Sequence, residues 1–391
     1  MKRVYLDYAA TAPLRREVWE AMEAELGHCY NPASAHTPGR QAHRCLEQSR
    51  GLMADLLCCG RSEISFTGGG TQSDNLAILG FVRAHPGRPV RVLVSAIEHQ
   101  ACLASANRAG VEGASVMSIP ADGTGTVDLD WLERALATST RADGGAAVPT
   151  LISVMWANNE IGVVQPIDAI VELAERYGAL VHTDAVQAWG KVEVDLTQTP
   201  VDLLSASSHK LGGPVGIGLL YCRRGVELEP LSYGGGQERS MWPGTQNPLG
   251  AVGFARAAAL AVEERPANET RWNGLRRRLE DRVLARIDGA RIHGHGAPAR
   301  LPHIASVGIP GCDPGALLVS LDLDGVAASG GSACSSGGHA GSSVLEAIGA
   351  HNHDPYATVR FSFGHCTEEH DVDRAADSLI GAARRFARLT V

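Results

Sequence analysis

Short apolar runs at residues 91–97, 149–155, 179–185, 201–207 and 216–222 alternate with amphipathic stretches, and this alternation narrows what the chain can fold into. Runs of this length bounded by polar turns read as buried strands. Between the second and third lies PIDAIVELAERYG, residues 166–178. Pro166 suits a first helical turn, Ile167, Ile170, Val171 and Ala174 share one face, and Gly178 stops the helix. Strand, helix, strand at this spacing predicts an α/β fold with a mostly parallel central sheet and right-handed crossovers. In such sheets ligands gather at the carboxyl ends of the strands.

At 391 residues the chain exceeds what one hydrophobic core organises, so a large domain and a smaller C-terminal α/β domain are expected. The polar segment EERPANETRWNG, residues 263–274, follows an alanine-rich helix and precedes a basic amphipathic one, and it reads as the boundary. This divides the chain into residues 14–262 as the large domain and residues 1–13 with 263–391 as the small one. RADGGAA, residues 141–147, reads as a loop within the first. A net charge of −8 with scattered arginines leaves no basic face, which argues against nucleic acid as the principal ligand. With no 18-residue apolar run and no signal-like N-terminus, the expected setting is the cytoplasm, without a membrane partner. Nine cysteines spread without a C-x-x-C pair argue against a disulfide framework.

Polar residues cluster just past the apolar runs. FTGGGTQSDNLAI, residues 66–78, has a glycine turn ending at Gly70, then Thr71 and a helical pattern, which presents N–H groups and a hydroxyl to an anion. HTDAVQ places Asp184 and Gln187 past one strand, and SASSHK places Ser207, His209 and Lys210 past the next. Each has an ordinary structural reading, as turn, helix cap or solvated charge. Together they describe a site for a phosphate (Thr71, Ser207, His209), a nitrogen base (Asp184), a ring oxygen (Gln187) and an aldehyde captured by an amine (Lys210). Pyridoxal 5'-phosphate carries all four features, and its chemistry needs the lysine and the carboxylate.

Ordered motifs extend this along nearly the whole chain: YLDYAATAP (5–13), NPAS (31–34), EHQA (98–101), NNEIGVVQPI (158–167), HTDAVQAWGK (182–191), SHKLGGP (208–214), GGGQER (234–239), GTQN (244–247), SGGSACSS (329–336) and VRFSFG (359–364). In these the sequence resembles the cysteine desulfurases of the class V aminotransferase group, pyridoxal phosphate enzymes of fold type I. The resemblance implies that Lys210 holds the cofactor and moves the substrate α-proton, and that His99 stacks on the ring and takes part in proton transfer. It implies that Asp184 meets the ring nitrogen, that Gln187 and Asn159 reach the ring oxygen, and that Gly70, Thr71, Ser207 and His209 hold the phosphate. Thr245 would join them from a partner subunit, which implies a homodimer. Arg360 would bind the substrate carboxylate, assisted by Asn31 and Asn159. Cys334 would be the nucleophile that takes sulfur from L-cysteine as a persulfide, leaving L-alanine. Its setting in a Gly/Ser run suits a thiol that must visit two partners. The persulfide would pass to an acceptor protein: an iron–sulfur scaffold, a tRNA-thiolation protein or a biosynthetic sulfur carrier.

The sequence departs from the family pattern at Gln72, where glutamate is usual, and at Val215, where lysine is common. Met241, Trp242 and Pro243 stand where arginine generally precedes GTQN, and His339 lies in a glycine-rich stretch after Cys334. The alternatives are a selenocysteine or cystine lyase on the same fold that does not use Cys334, and a non-catalytic sulfur-transfer scaffold. The pairs His293/His295 and His351/His353 lack further ligands at metal spacing, so no metal is expected.

Overall fold

The computed structural model describes residues 3–138, 147–331, 342–350 and 356–387. Its elements run β1 (Val4–Tyr5), α1 (Arg16–Ala24), α2 (Thr37–Leu57), β2 (Ile64–Thr67), α3 (Gly70–Arg83), β3 (Arg91–Ser95), α4 (Gln100–Val111), β4 (Ser115–Ile119), α5 (Leu129–Ala137) and β5 (Thr150–Ser153). They continue with α6 (Ile167–Tyr177), β6 (Leu180–Asp184), β7 (Leu203–Ser207), β8 (Gly218–Cys222), α7 (Pro248–Leu284) and β9 (Arg291–Ile292). The last are β10 (Ile304–Pro310), α8 (Pro314–Leu323), β11 (Val326–Ala327), α9 (Ser343–Ala347), β12 (Tyr356–Ser362) and α10 (Glu369–Ala387).

The main sheet has the order β2-β8-β7-β6-β5-β3-β4. From β7 to β4 every neighbouring pair is parallel, as the alternation of strand and helix patterns requires. The sheet is mostly parallel, as expected, and strand β8 is its antiparallel member, running against both β7 and β2. The reason is chain length: ten residues, 208–217, separate β7 from β8, and a parallel return needs a crossover of a dozen residues or more. Because β8 reverses twice, β2 again points the same way as β7, so its glycine turn joins the same sheet edge.

Helix α6 follows its sequence pattern closely. Ile167, Ile170, Val171 and Ala174 are buried in the main core, and Gly178 ends the helix at φ 68°, a left-handed conformation suited to glycine.

A second hydrophobic cluster gathers Val4, Leu6, Trp272, Leu275, Leu279, Val307, Phe361 and Leu379. It is built around the sheet β12-β10-β9 and the pair β1-β11, which brings in the N-terminal strand. Residues 263–274, read from the sequence as a break between helices, instead lie inside α7, which runs unbroken past Pro266. Proline forgoes a single helix hydrogen bond, and good helix formers on both sides carry the helix through. Its first half, with Phe254 and Leu260, packs into the main core, and its second half, with Trp272 and Leu279, into the second cluster.

Gly218 starts β8 opposite both Thr67 and Ser207. A Cβ there would stand 2.5 Å from the carbonyl carbon of Gly69, inside the glycine turn. Backbone cannot yield as a flexible side chain would. Gly218→Ala should therefore cost about 1–3 kcal/mol of stability, the range for overpacking a tight site, read by urea denaturation. An unchanged midpoint would show that the turn does not press on β8.

Candidate active site

The carboxyl ends of β2, β3, β5, β6 and β7 converge on a cavity of about 640 Å³, a size typical of small-molecule sites. Ten of the sequence-derived site residues line it: Gly70, Thr71, His99, Asn159, Asp184, Gln187, Ser207, His209, Lys210 and Arg360. Apart from Arg360, which lies within β12, they sit at the strand ends or on the turns and helix starts that follow them, where a side chain is free to point across the edge.

Lys210 ends a single 3₁₀ turn, Ser208–Lys210, directly after β7. Its Nζ donates to the carbonyls of Ala9 (2.6 Å) and Ala10 (2.8 Å). Gln187 Nε2 donates to the same Ala9 carbonyl at 2.7 Å, while its Oε1 is buried without a partner. Thr11 Oγ1 donates to the Ala10 carbonyl (2.8 Å), so it accepts from His209 Nδ1 at 3.1 Å. Burial, with Lys210 and Lys191 nearby, holds His209 down to about 4. His99 caps α4, its Nδ1 accepting from the Ala101 N–H at 3.1 Å, which leaves the ring proton on Nε2.

Asp184 ends β6, buried, with Oδ1 accepting from the Val186 N–H at 2.8 Å. Burial raises its carboxyl, and the neighbouring His99 and Lys210 act in the opposite sense. Behind it lie two acids that sequence reasoning assigned no role, Asp74 and Glu98. Donor atoms of Asp74, Cys102 and Asp184 all fall within 4.8 Å of one another. Asp74 Oδ1 and Glu98 Oε2 are shielded from solvent without a hydrogen-bond partner, and Glu98 Oε1 accepts from the Met155 N–H at 2.5 Å. Burial pushes both carboxyls well above the usual range, and Asp184 adds repulsion. His182, between Ser153 Oγ (2.9 Å) and Ser205 Oγ (3.0 Å), is driven by burial down to about 3 and is neutral. The core behind the cavity is therefore uncharged, and Asp184 is the carboxylate that meets it.

Arg360, in the middle of β12, is 1 % exposed. Nη1 donates to the carbonyls of Asn159 (2.8 Å) and Gly331 (3.1 Å), and Nη2 to Asp7 Oδ1 (2.9 Å), while Nε is buried without a partner. Asp7 is a further residue that the sequence did not single out; its motif, YLDYAATAP, was the available signal.

Two expected residues are not brought to this cavity. Asn31 is exposed and folded into its own turn, Oδ1 accepting from the Ala33 N–H at 3.0 Å and its carbonyl from Ser34. Thr245 is exposed and lines a separate recess with Phe66 and Trp242, so within one chain it does not reach Lys210. Cys334 and His339 lie outside the described residues, as do His351 and His353. Among the described residues no helix is long and apolar enough to cross a membrane.

The family model for aminotransferase class-V matches residues 4–375. The chain belongs to that family. Among its class V relatives, an IscS-like cysteine desulfurase of Mycobacterium tuberculosis is 41% identical, the match covering 98% of this chain and 97% of the relative. Cysteine desulfurase IscS 1 of Archaeoglobus fulgidus is 37% identical, over 99% and 98%. A solved NifS-like protein superposes with a TM-score of 0.88 at 32% identity, covering 98% of this chain and all of the other. SspA, solved in complex with cysteine, matches with a TM-score of 0.75 at 30% identity, over 92% and 98%.

The protonated acids give a test of the site's electrostatics. Glu98 has a folded value raised above its ordinary 4.5, so its contribution is complete below that pH and is lost as pH rises toward the folded value. Each carboxyl that stays protonated on folding tilts stability against pH by about 1.4 kcal/mol per unit. Glu98→Gln should flatten the fall in stability that begins above about pH 4.5 by one such proton. Identical slopes in wild type and variant would mean that Glu98 is ionised in the folded chain.

Proposed function

We propose that this class V chain is a pyridoxal phosphate-dependent cysteine desulfurase that converts L-cysteine to L-alanine, forms a persulfide on Cys334 and passes the sulfur to an acceptor protein. The observation that carries the reading is the meeting of Lys210, Asp184, Gln187, His99 and Arg360 in one cavity, in a chain similar over nearly its full length to named cysteine desulfurases. Residues 14–262 make the cofactor-binding domain in this reading, and residues 1–13 with 263–391 the smaller one.

The residues present fit the cofactor. Buried Gln187 Oε1 lacks a partner, its amide nitrogen keeps a second hydrogen, and the opening of α3 at Gly70 and Thr71 faces the cavity. Lys210 would hold the cofactor covalently, Asp184 its ring nitrogen, and Gln187 and Asn159 its ring oxygen. Gly70, Thr71, Ser207 and His209 would take its phosphate, joined by Thr245 from a second copy in a homodimer. When bound, this group supplies an electron sink for charge that develops at the substrate α-carbon.

The chain's own residues do the rest. Arg360 binds the substrate carboxylate, which takes over Nη2 or the unpartnered Nε and competes with Asp7 for the guanidinium. Lys210 Nζ would carry the proton between the α-carbon and the site, and His99, which lines the same cavity, would stack on the ring and take part in proton transfer. The Cys334 thiolate attacks the substrate sulfur. The S–S bond forms as the C–S bond breaks, and the β-carbon takes a proton. L-cysteine and an enzyme thiol thus give L-alanine and an enzyme persulfide, with no outside oxidant or reductant.

Arg360→Ala should raise the KM for L-cysteine roughly a hundredfold or more, the cost of losing a buried charge-assisted pair, while leaving cofactor absorbance intact. A normal KM would remove Arg360 from substrate binding. Wild type treated with L-cysteine and no reductant should gain the mass of one sulfur atom on the peptide carrying Cys334. Cys334→Ser should bind cysteine and stall, because a hydroxyl is far less ionised than a thiol. Full turnover in Cys334→Ser, or a persulfide confined to another thiol such as exposed Cys366, would favour the lyase reading instead.

A further inference from the structure

Lys210 is held from two sides. Its side chain reaches into the large cavity, toward Ala9 and Ala10, whereas its main-chain carbonyl points the other way and accepts from Lys191 Nζ at 2.9 Å. Lys191 is 6 % exposed, an uncommon place for an amine, and its further contact is the Trp189 carbonyl at 3.5 Å. It lines a small recess behind the 3₁₀ turn, of about 40 Å³, room for two or three waters. Lys210 lines both this recess and the large cavity, so the turn is the wall between them. Across the recess stands His303, 2 % exposed, with both ring nitrogens lacking a protein partner. Polar groups buried in this way are satisfied by ordered water.

We infer that Lys191 is a positioning residue for Lys210: from a recess behind the site, its buried amine fixes the carbonyl of the 3₁₀ turn and sets a second amine near the one that captures the cofactor. The inference rests on the reading of Lys210 as the cofactor lysine. Two physical effects follow. Anchoring the carbonyl limits the turn's freedom, so Nζ is presented in one orientation. A neighbouring amine also disfavours the charged form of Lys210 and leaves more of it as the free nucleophile. Lys191 itself is held down to about 7, by burial and by Lys210. The other charged or titratable groups around the recess are His209 on the turn, Tyr8 and Arg15 on the N-terminal segment, Glu264 on α7, His303 before β10 and His365 after β12. Arg15 and Glu264 are paired bidentately at 2.8 and 2.7 Å and cancel each other, while burial keeps His209 and His303 neutral. Burial lowers His365 as well, so Lys191, held to about 7, is the variable charge in direct contact with the turn.

The test uses cofactor-stripped protein and pyridoxal phosphate as the probe, with borohydride fixation and peptide mapping, so that turnover of cysteine is not needed. Wild type should be labelled on Lys210; a label elsewhere overturns the cofactor reading itself, separately from the role of Lys191. Lys191→Met should capture the probe roughly tenfold more slowly at neutral pH, about what loss of a hydrogen bond to a charged group removes, and the pH midpoint of capture should move upward. Lys191→Arg keeps the charge and the donor and should restore the midpoint. Lys191→Gln, which keeps a donor without the charge, is the fallback should the methionine variant fail to fold, and it too should shift the midpoint upward. Capture at the wild-type rate and midpoint in folded Lys191→Met, or in folded Lys191→Gln, overturns the inference.

Discussion

The segment Asp7–Thr11 is the tie on which the rest of the architecture depends. Asp7 pairs with Arg360 on β12, and the Ala9 N–H donates to Ser362 Oγ at 2.8 Å, both on the small-sheet side. The Ala9 and Ala10 carbonyls accept from Gln187 and Lys210, and Thr11 meets His209, all on the main-sheet side. Five residues thus cross-link two hydrophobic clusters through their backbone and short side chains. Small residues suit the task, because a bulky side chain at Ala9, 1 % exposed, would push the two sheets apart. The strand before this segment, β1, fixes its entry by pairing in register with β11, Val4 to Val326 and Tyr5 to Ala327.

Around that tie the charges are distributed with economy. Burying several like charges together is prohibitive, so buried acids and bases neutralise unless each has a partner. Asp74, Glu98 and His182 follow this rule and are neutral, whereas Arg360 keeps its charge because Asp7 answers it. Asp184 differs in facing His99 and Lys210, both of which favour its ionised form. Asp184, Lys210 and Arg360 are therefore the groups that give the cavity its field, with the neutral Asp74, Glu98 and His182 behind them.

Much of this was legible in the chain. Runs of buried strand and the pattern of α6 gave the parallel sheet, because local periodicity and sheet burial speak the same language. Residues past the strand ends gave most of the cavity wall, since topology alone brings those ends together. What stayed hidden depends on long-range pairing. That Asp7 answers Arg360 is a contact between residues 353 apart in sequence, and no local pattern announces it. Glu98 and Lys191 sit inside quoted motifs, but their burial comes from packing by distant elements. In the polar stretch 263–274 what the local pattern hid was the continuity of the helix: the middle of a long helix looks like a break when its two buried ends belong to different clusters.

Among the described residues, the departures from the family pattern do not line the Lys210 cavity, and their placement has its own logic. Val215 is 73 % exposed beside the turn that leads into β8, and Gln72 lies over the glycine turn that opens α3. Trp242 and Pro243 share their recess with Thr245. The turn leading to that recess is strained: Glu238, Arg239 and Ser240 are left-handed at φ 46°, 57° and 65°, a conformation that non-glycine residues adopt at a cost. It persists because Glu238, buried, accepts from Arg50 Nη1 (2.6 Å) and Nη2 (2.9 Å), from the Phe66 N–H (2.8 Å) and from Gln246 Nε2 (2.6 Å). Four donors on one carboxylate outweigh the strain of three residues and fix a loop that serves nothing in the chain's own cavity. A loop held at such expense, with Thr245 exposed on it, is what the proposed contribution to a second copy's phosphate site requires. Trp242 and Pro243 line that recess beside Thr245 and not the Lys210 cavity, so in the proposed dimer they would bear on the contact and not on the chemistry at Lys210.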